Sequence, residues 1–283
     1  MSGRRTVIVG AGRMGQGLAL ALHHAGWPVA LIARSPRPVA APLTLHAGDW
    51  ASALIAAELV LVATPDDAIP LAAADLAATG AIGAGHTVLH LAGPLDRTAL
   101  APLEPAGAGL GSYHPLQTVA DPVTAPARLR GAYAGVEGDA RAIAAGEQMA
   151  AALGMVAVRL APTAKTLYHA GAVLMANYTV ALAAVAERVA RQAGIAPEVA
   201  ARMYQPLLAG AVANVDALGV AGALTGPIRR GDVATIRAHL AALGPEDRSL
   251  YIAVGRAALE LARRAGLEEA RAREIDALLS SRW

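Results

Sequence analysis

The hydrophobic pattern divides the chain in two. In the first part, short apolar runs rich in Val, Ile and Leu recur at residues 6–9, 29–33, 59–63, 87–91, 132–136 and 155–160. Runs of this length, bounded by Gly, Pro or charged residues, read as buried strands. Longer Ala-rich stretches between them, such as 15–25 and 140–153, read as helices. Strands alternating with helices predict βαβ units and a parallel, doubly wound α/β sheet of Rossmann type. Pro-rich 35–42 and turn-rich 92–105 read as loops over its edge.

After Pro162 the strand signals stop. The remaining residues read as helices separated by Gly/Pro breaks at 194–197, 219–226 and 244–245. The pattern therefore predicts a sheet domain over 1–161 and an all-helical domain over 162–283. Residues 166–186 contain no Asp, Glu, Lys or Arg and are as long as a transmembrane helix. They also hold Tyr168, His169, Asn177, Tyr178 and Thr179, which are costly in lipid. A helix apolar on most sides is equally expected at the centre of a helical domain, so no membrane partner is expected.

Composition narrows the function. In 283 residues, 24 Lys plus Arg face 22 Asp plus Glu, an excess too small for a nucleic-acid footprint. There is no cysteine, which removes disulfides, thiolate nucleophiles and zinc–thiolate sites. The opening Met1-Ser2-Gly3-Arg4-Arg5 runs straight into a strand with no signal-peptide h-region, and the expected location is cytoplasmic. No GxSxG elbow or tight metal-ligand spacing is present, so neither a serine nucleophile nor a metal is expected.

Gly10-Ala11-Gly12-Arg13-Met14-Gly15 follows a strand and opens a helix. Gly10 allows the tight turn, Gly12 lets backbone approach a pyrophosphate, and Gly15 permits close helix–strand packing. The helix N-terminus adds free N–H groups for the phosphates. NAD-preferring sites carry an acid after the second strand. This chain has Ala33-Arg34-Ser35-Pro36-Arg37 there, where Arg34, helped by Ser35 and Arg37, suits a 2′-phosphate; a solvated basic loop is the bland alternative. The expected cofactor is NADP(H). Thr64 with Asp67 has the form of a capping box, with Pro65 in the first turn. Thr64, Pro65 and His90, at strand ends, are also expected to face the dinucleotide crevice, although His90 fits packing as well.

Lys165-Thr166-Leu167-Tyr168-His169 opens the second part and continues to Asn177 on one predicted helix. Lys165 and His169 are one turn apart, and Asn177 lies within roughly 120° of Lys165. Polar groups on an apolar helix carry a desolvation cost unless paired or wet, and a wet cleft between domains is the expected setting. There Lys165 can protonate the oxygen or nitrogen left when a C=O or C=N carbon is reduced, with His169 and Asn177 orienting substrate or lysine. A solvated lysine and two satisfied polar residues are the structural alternative. In Ser112-Tyr113-His114-Pro115-Leu116-Gln117-Thr118, expected as a crevice loop, His114 can bind a carboxylate or assist proton transfer, and Gln117 and Thr118 can donate hydrogen bonds. In Leu224-Thr225-Gly226-Pro227-Ile228-Arg229-Arg230-Gly231-Asp232, Thr225 and Arg229 can face a substrate carboxylate, or form a cap and a solvated pair.

Together the glycine loop, His114-Pro115-Leu116-Gln117-Thr118, Lys165…Tyr168-His169…Asn177 and Leu224-Thr225-Gly226-Pro227-Ile228…Arg230-Gly231-Asp232 resemble Rossmann-like oxidoreductases with a carboxy-terminal domain of unknown function 2520. That family is similar to the 6-phosphogluconate dehydrogenase-like superfamily, which includes ketopantoate reductases, pyrroline-5-carboxylate reductases and β-hydroxyacid dehydrogenases. Lys165 matches the catalytic lysine of the ketopantoate reductases, whereas His169 stands where they carry asparagine. The resemblance implies reduction of 2-dehydropantoate to pantoate by NADPH, in pantothenate biosynthesis, and a homodimer formed through the helical domain. Two other readings stay open: a reductase of a cyclic imino acid such as pyrroline-5-carboxylate, and an NADPH-binding sensor without turnover. Burial of the polar cluster away from solvent would favour the sensor.

Overall fold

A computed structural model describes residues 3–48 and 50–281, so Met1 and Ser2 of the opening segment lie outside the described residues. The chain forms two compact units that divide between Ala176 and Asn177. The first unit is built on one sheet of eight strands: β1 (Thr6–Val9), β2 (Val29–Ala33), β3 (Leu45–Ala47), β4 (Leu59–Val62), β5 (Thr87–His90), β6 (Gly109–Pro115), β7 (Tyr133–Gly138) and β8 (Val156–Arg159). Their spatial order is β3-β2-β1-β4-β5-β6-β7-β8, parallel throughout except for the antiparallel pair β6–β7. The order reverses between β1 and β4, the switch point outside which doubly wound sheets place their ligands.

Among the described residues the α-helices of this unit are α1 (Arg13–His24), α2 (Ala51–Ile55), α3 (Ile69–Ala78), α4 (Ala125–Leu129), α5 (Ala140–Ala152) and α6 (Lys165–Met175). One core packs Leu18 and Leu22 of α1 and Met149 of α5 against Ile8, Leu89, Tyr113 and Val136. The other packs Leu54 of α2 and Ile69 and Leu76 of α3 against Val9, Val60, Val88 and Leu110. Alternate residues of each strand thus enter opposite cores, as the two-residue period of a pleated strand requires.

The second unit contains α7 (Asn177–Gln192), α8 (Pro197–Met203), α9 (Gln205–Ala223), α10 (Gly226–Arg230), α11 (Val233–Ala242), α12 (Pro245–Arg264) and α13 (Glu269–Ser280). The breaks fall where Gly and Pro announced them: α9 is interrupted at Gly219 (φ 69°), and Gly244 caps α12. Its core is Ile228, Ile236, Leu240, Leu259, Ile275 and Leu279, from α10 to α13.

Three expectations are corrected. The His114 segment is not a loop but strand β6, whose Gly, Ser, His and Pro residues have low strand propensity and are held by neighbours on both sides. The helix starting at Lys165 ends at Met175, so Asn177 belongs to a separate helix and is exposed. Nor are the apolar helices central. Residues 162–192 and 197–223 are long and apolar enough to cross a bilayer, yet the apolar windows of both are unburied. The short edge strand β3 also went unread, since three half-exposed residues carry no periodic signal.

Candidate functional site

Beyond β1, Gly10 has φ 109°, and a side chain there would lie 2.7 Å from the Ala63 carbonyl. Gly15 is equally constrained, because a Cβ would meet the Gly10 carbonyl at 2.1 Å. Gly12 differs: it caps α1 in extended conformation, and a Cβ there would meet nothing within 4 Å. The α1 N-terminus has no side-chain cap and no acid in its first turn, so its N–H groups and positive dipole end face open space. Arg13 is exposed, while Met14 packs on the core.

Thr64 does not cap a helix as its spacing suggested. The short turn Asp66–Ala68 has no side-chain cap, and Thr64 Oγ1 is buried without a hydrogen-bond partner. Buried hydroxyls without partners are rare, and this one stands at a strand end beside the glycine loop. Pro65 is exposed beside it. Arg34, Ser35 and Arg37 are exposed beyond β2, and Arg34 pairs with Asp75 of α3 at 2.7 Å. Gln16 braces the region, donating to the Ala11 carbonyl and accepting from the Ala40 N–H. An open glycine, an uncapped helix start, an orphan hydroxyl and an arginine after β2 fit a dinucleotide.

A second group gathers at the ends of β5, β6 and β7. In the sheet register His90 is paired with Ser112, Ser112 with Glu137, and His114 with Gly135. Residues paired in register, and residues two apart, share a face, so His90, Ser112, His114 and Glu137 lie on one side of the sheet. Helix α6 brings Lys165, Tyr168 and His169 to them. Gly135 makes room, because a Cβ there would lie 2.9 Å from the Tyr168 ring and hydroxyl.

Lys165 is 1% exposed, not the wet residue its sequence suggested. Its ammonium donates to the Ala92 carbonyl at 3.0 Å and to Ser112 Oγ at 2.8 Å. Ser112 in turn donates to Glu137 Oε2 at 3.2 Å, and that oxygen also accepts the Arg97 N–H at 2.9 Å. Burial lowers the Lys165 pKa to about 8, opposed by Glu137, Asp96 and Asp66. Burial raises Glu137 above its ordinary value.

The histidines differ in role. His90 is fully buried, and its Nδ1 accepts the Ala92 N–H. Nε2 therefore carries the proton and donates to the Asp96 carbonyl. Both ring nitrogens thus clasp the 90–96 turn and neither is left for a cofactor. His114 Nδ1 is 3.0 Å from the Tyr168 hydroxyl, and its ring meets those of Tyr168 and His169 edge-on. Burial holds His90 and His114 near pKa 4, with Lys165 also lowering both. Nδ1 of His169 is buried, lacks a partner, and occupies the space a side chain on Gly93 would need. At neutral pH, His90 and His114 are uncharged and Lys165 carries the proton that can be given up.

The remaining expected residues have local surroundings of their own. Gln117 donates to the Arg128 carbonyl and accepts from the N–H of exposed Thr118, which builds a local turn. Thr225 caps α10 without a side-chain bond, and Arg229 donates to the Ala265 carbonyl at the end of α12. Ser112, Glu137 and Gly93 were not anticipated. One signal was available: Lys165 is the only lysine among the 24 Lys plus Arg. Arginine cannot release its proton near neutral pH, and lysine can. Among the described residues no group of three His, Cys, Asp or Glu could hold a metal ion.

Two family models match separate parts of the chain. The model of a domain of unknown function (DUF2520) matches residues 132–273, and a model of NAD(P)-binding domains matches residues 1–82. No curated protein matches. A solved Thermotoga maritima protein is 22% identical with TM-score 0.69, over 92% of this chain and 98% of its own. Plasmodium falciparum pyrroline carboxylate reductase, solved with NADP bound, is 13% identical with TM-score 0.59, over 99% and 100%. A reductive aminase from Aspergillus terreus, solved with NADPH and ethyl-5-oxohexanoate, is 20% identical with TM-score 0.57, over 98% and 92%. At such identities the likeness establishes the fold.

Proposed function

Starting from a chain that belongs to the DUF2520 family and carries an NAD(P)-binding Rossmann domain, we propose that it is an NADPH-dependent oxidoreductase with Lys165 as proton donor. The carrying observation is the only lysine of the chain, sealed against Ser112 and Ala92 with its pKa lowered to about 8, beside His90 and His114, which burial keeps neutral. Strongly perturbed groups cluster where proton transfer is done. NADPH, when bound, supplies the hydride. Gly12 and the α1 N-terminus would hold its pyrophosphate, Thr64 offers a hydroxyl, and Arg34 would hold the 2′-phosphate.

Arg34 is available because its pair with Asp75 is exposed on both sides and worth at most about 1 kcal/mol. Arg34→Ala should raise the KM for NADPH by roughly 10-fold or more and leave that for NADH unchanged. Equal losses with both cofactors would remove the 2′-phosphate role.

The substrate is a small carbonyl acid, with 2-dehydropantoate first to test because Lys165 matches the lysine of ketopantoate reductases. Cyclic imino acids belong in the same panel, since solved neighbours are named for pyrroline carboxylate reduction and reductive amination. The complete burial of Lys165 favours a second reading, a sensor that binds NADPH without turnover. NADPH consumption, followed with 2-dehydropantoate, pyrroline-5-carboxylate and other 2-oxo acids, separates the three. Tight NADPH binding with no turnover across the panel would favour the sensor.

The exposed faces of α7 and α9 support a homodimer of a soluble protein. Val180 is 71% exposed, Leu207 70% and Val220 64%, and helices that leave this much apolar side chain uncovered suit an interface. The segments also carry Glu187, Arg188 and Arg191, and break at Gly219, which suits an interface better than a bilayer. Light scattering should give twice the chain mass without detergent. The double change Val180→Glu and Leu207→Glu should weaken association by about 100-fold or more, because buried carboxylates are costly; a parent that runs as a monomer would refute the dimer.

A further inference from the structure

We infer that Glu137, acting through Ser112, is the positioning residue that keeps Lys165 protonated and aimed within its buried site. The inference rests on the reading of Lys165 as proton donor and adds what sustains it. Glu137 is 1% exposed and stands directly across the β6–β7 pair from Ser112. The Ser112 hydroxyl has one proton, and it is directed to Glu137 Oε2. That leaves the Ser112 lone pairs to accept from Lys165. With Glu137 in place, Ser112 is fixed as an acceptor; without it, the hydroxyl is free to rotate and the hold on the ammonium weakens.

The electrostatics act in the same direction. The titratable groups around Lys165 are Glu137 on β7, Asp96 and Asp66 in the turns after β5 and β4, His90 on β5 and His114 on β6. His169, on its own helix, faces His114. His90 and His114 are neutral at working pH, Asp96 is half-exposed and Asp66 is exposed. Glu137 is therefore the one buried anion opposing the desolvation of Lys165, and it is the largest influence holding that pKa up. A buried ammonium without such a partner loses its proton near neutrality. Glu137 Oε1 is buried and without a hydrogen-bond partner, so no donor competes with Lys165 for the charge from that side.

The test uses the uniqueness of the lysine. In full-length protein labelled with ¹³C-lysine, a single side-chain signal reports Lys165. The parent should titrate near pH 8. Glu137→Gln, which keeps shape and removes charge, should lower the midpoint by about one unit or more. Ser112→Ala should lower it as well, and Glu137→Asp should hold it closer to the parent. In turnover, Glu137→Gln should lose about five-fold in reductive kcat near pH 8 and almost nothing near pH 6, following the protonated fraction. A Glu137→Gln midpoint that is unchanged or raised overturns the inference, as does an equal loss of kcat at every pH. If Glu137→Gln does not fold, the Ser112→Ala midpoint decides in the same way. A midpoint that shifts as expected in a protein that turns over no carbonyl or imine would uphold the positioning and reject the donor role.

Discussion

Lys165→Met is expected to cut kcat for a carbonyl substrate by about 10²–10⁴-fold, the usual contribution of a positioned acid, while NADPH affinity stays within about three-fold of the parent. The side chain is isosteric enough to fill the site, and it removes a buried charge together with two hydrogen bonds. Loss of the ammonium also leaves buried Glu137 without its counter-charge, which lowers stability, so kcat is compared at a temperature where circular dichroism shows the variant folded. A reduced carbonyl leaves an alkoxide, which needs a proton at once. A protonated imine leaves a neutral amine and needs none from Lys165. The same variant therefore reads the substrate class: a loss below about 10-fold with a cyclic imino acid, beside full loss with a 2-oxo acid, would assign the protein to imine reduction. Lys165→Arg should not rescue the carbonyl reaction, because guanidinium keeps its proton. Rescue by arginine would mean that charge alone, not proton donation, is what the site requires.

Gly12→Asp is the second large expected effect, and it separates binding from folding. Gly12 caps α1 in an extended conformation that any residue adopts, with nothing within 4 Å of the new side chain. Aspartate is among the best helix N-caps, so stability should hold or rise by a few tenths of a kcal/mol, about the cap difference from glycine. The carboxylate would then occupy the helix end that a pyrophosphate needs and repel it. Loss of NADPH affinity by about 100-fold or more, measured by fluorescence titration, with the melting temperature unchanged, is the expected result. Gly15→Ala should behave differently, since its Cβ would strike the Gly10 carbonyl at 2.1 Å and deform the loop, lowering stability and affinity together. If Gly12→Asp binds NADPH as the parent does, the dinucleotide does not use this loop.

Much of the first unit was written in local pattern. β1 and β2 are short, apolar apart from Thr6 and punctuated by glycine, and they occur where the periodicity places them. The glycine loop is equally local, because turn, approach and packing each depend on residues within one βα unit. The helix breaks at Gly194, Gly219 and Gly244 arise for the same reason, as does the proton-bearing lysine, which is unique in the composition.

What the sequence could not determine depends on residues far apart along the chain. Lys165 meets Ser112 across 53 positions, and Ser112 meets Glu137 across 25. No periodicity links such distances, because strand pairing, not spacing, decides them. β6 is a strand only because β5 and β7 flank it, despite its glycines and proline. Thr64 has the spacing of a cap, but its hydroxyl is left open at the strand end. Burial of Lys165 is likewise a tertiary fact: helix α6 presses it onto the sheet, and that loss of water brings the lysine pKa down to about 8. The residue types were legible in the sequence; their chemistry was set by the low dielectric and the hydrogen-bond partners that only the folded sheet supplies.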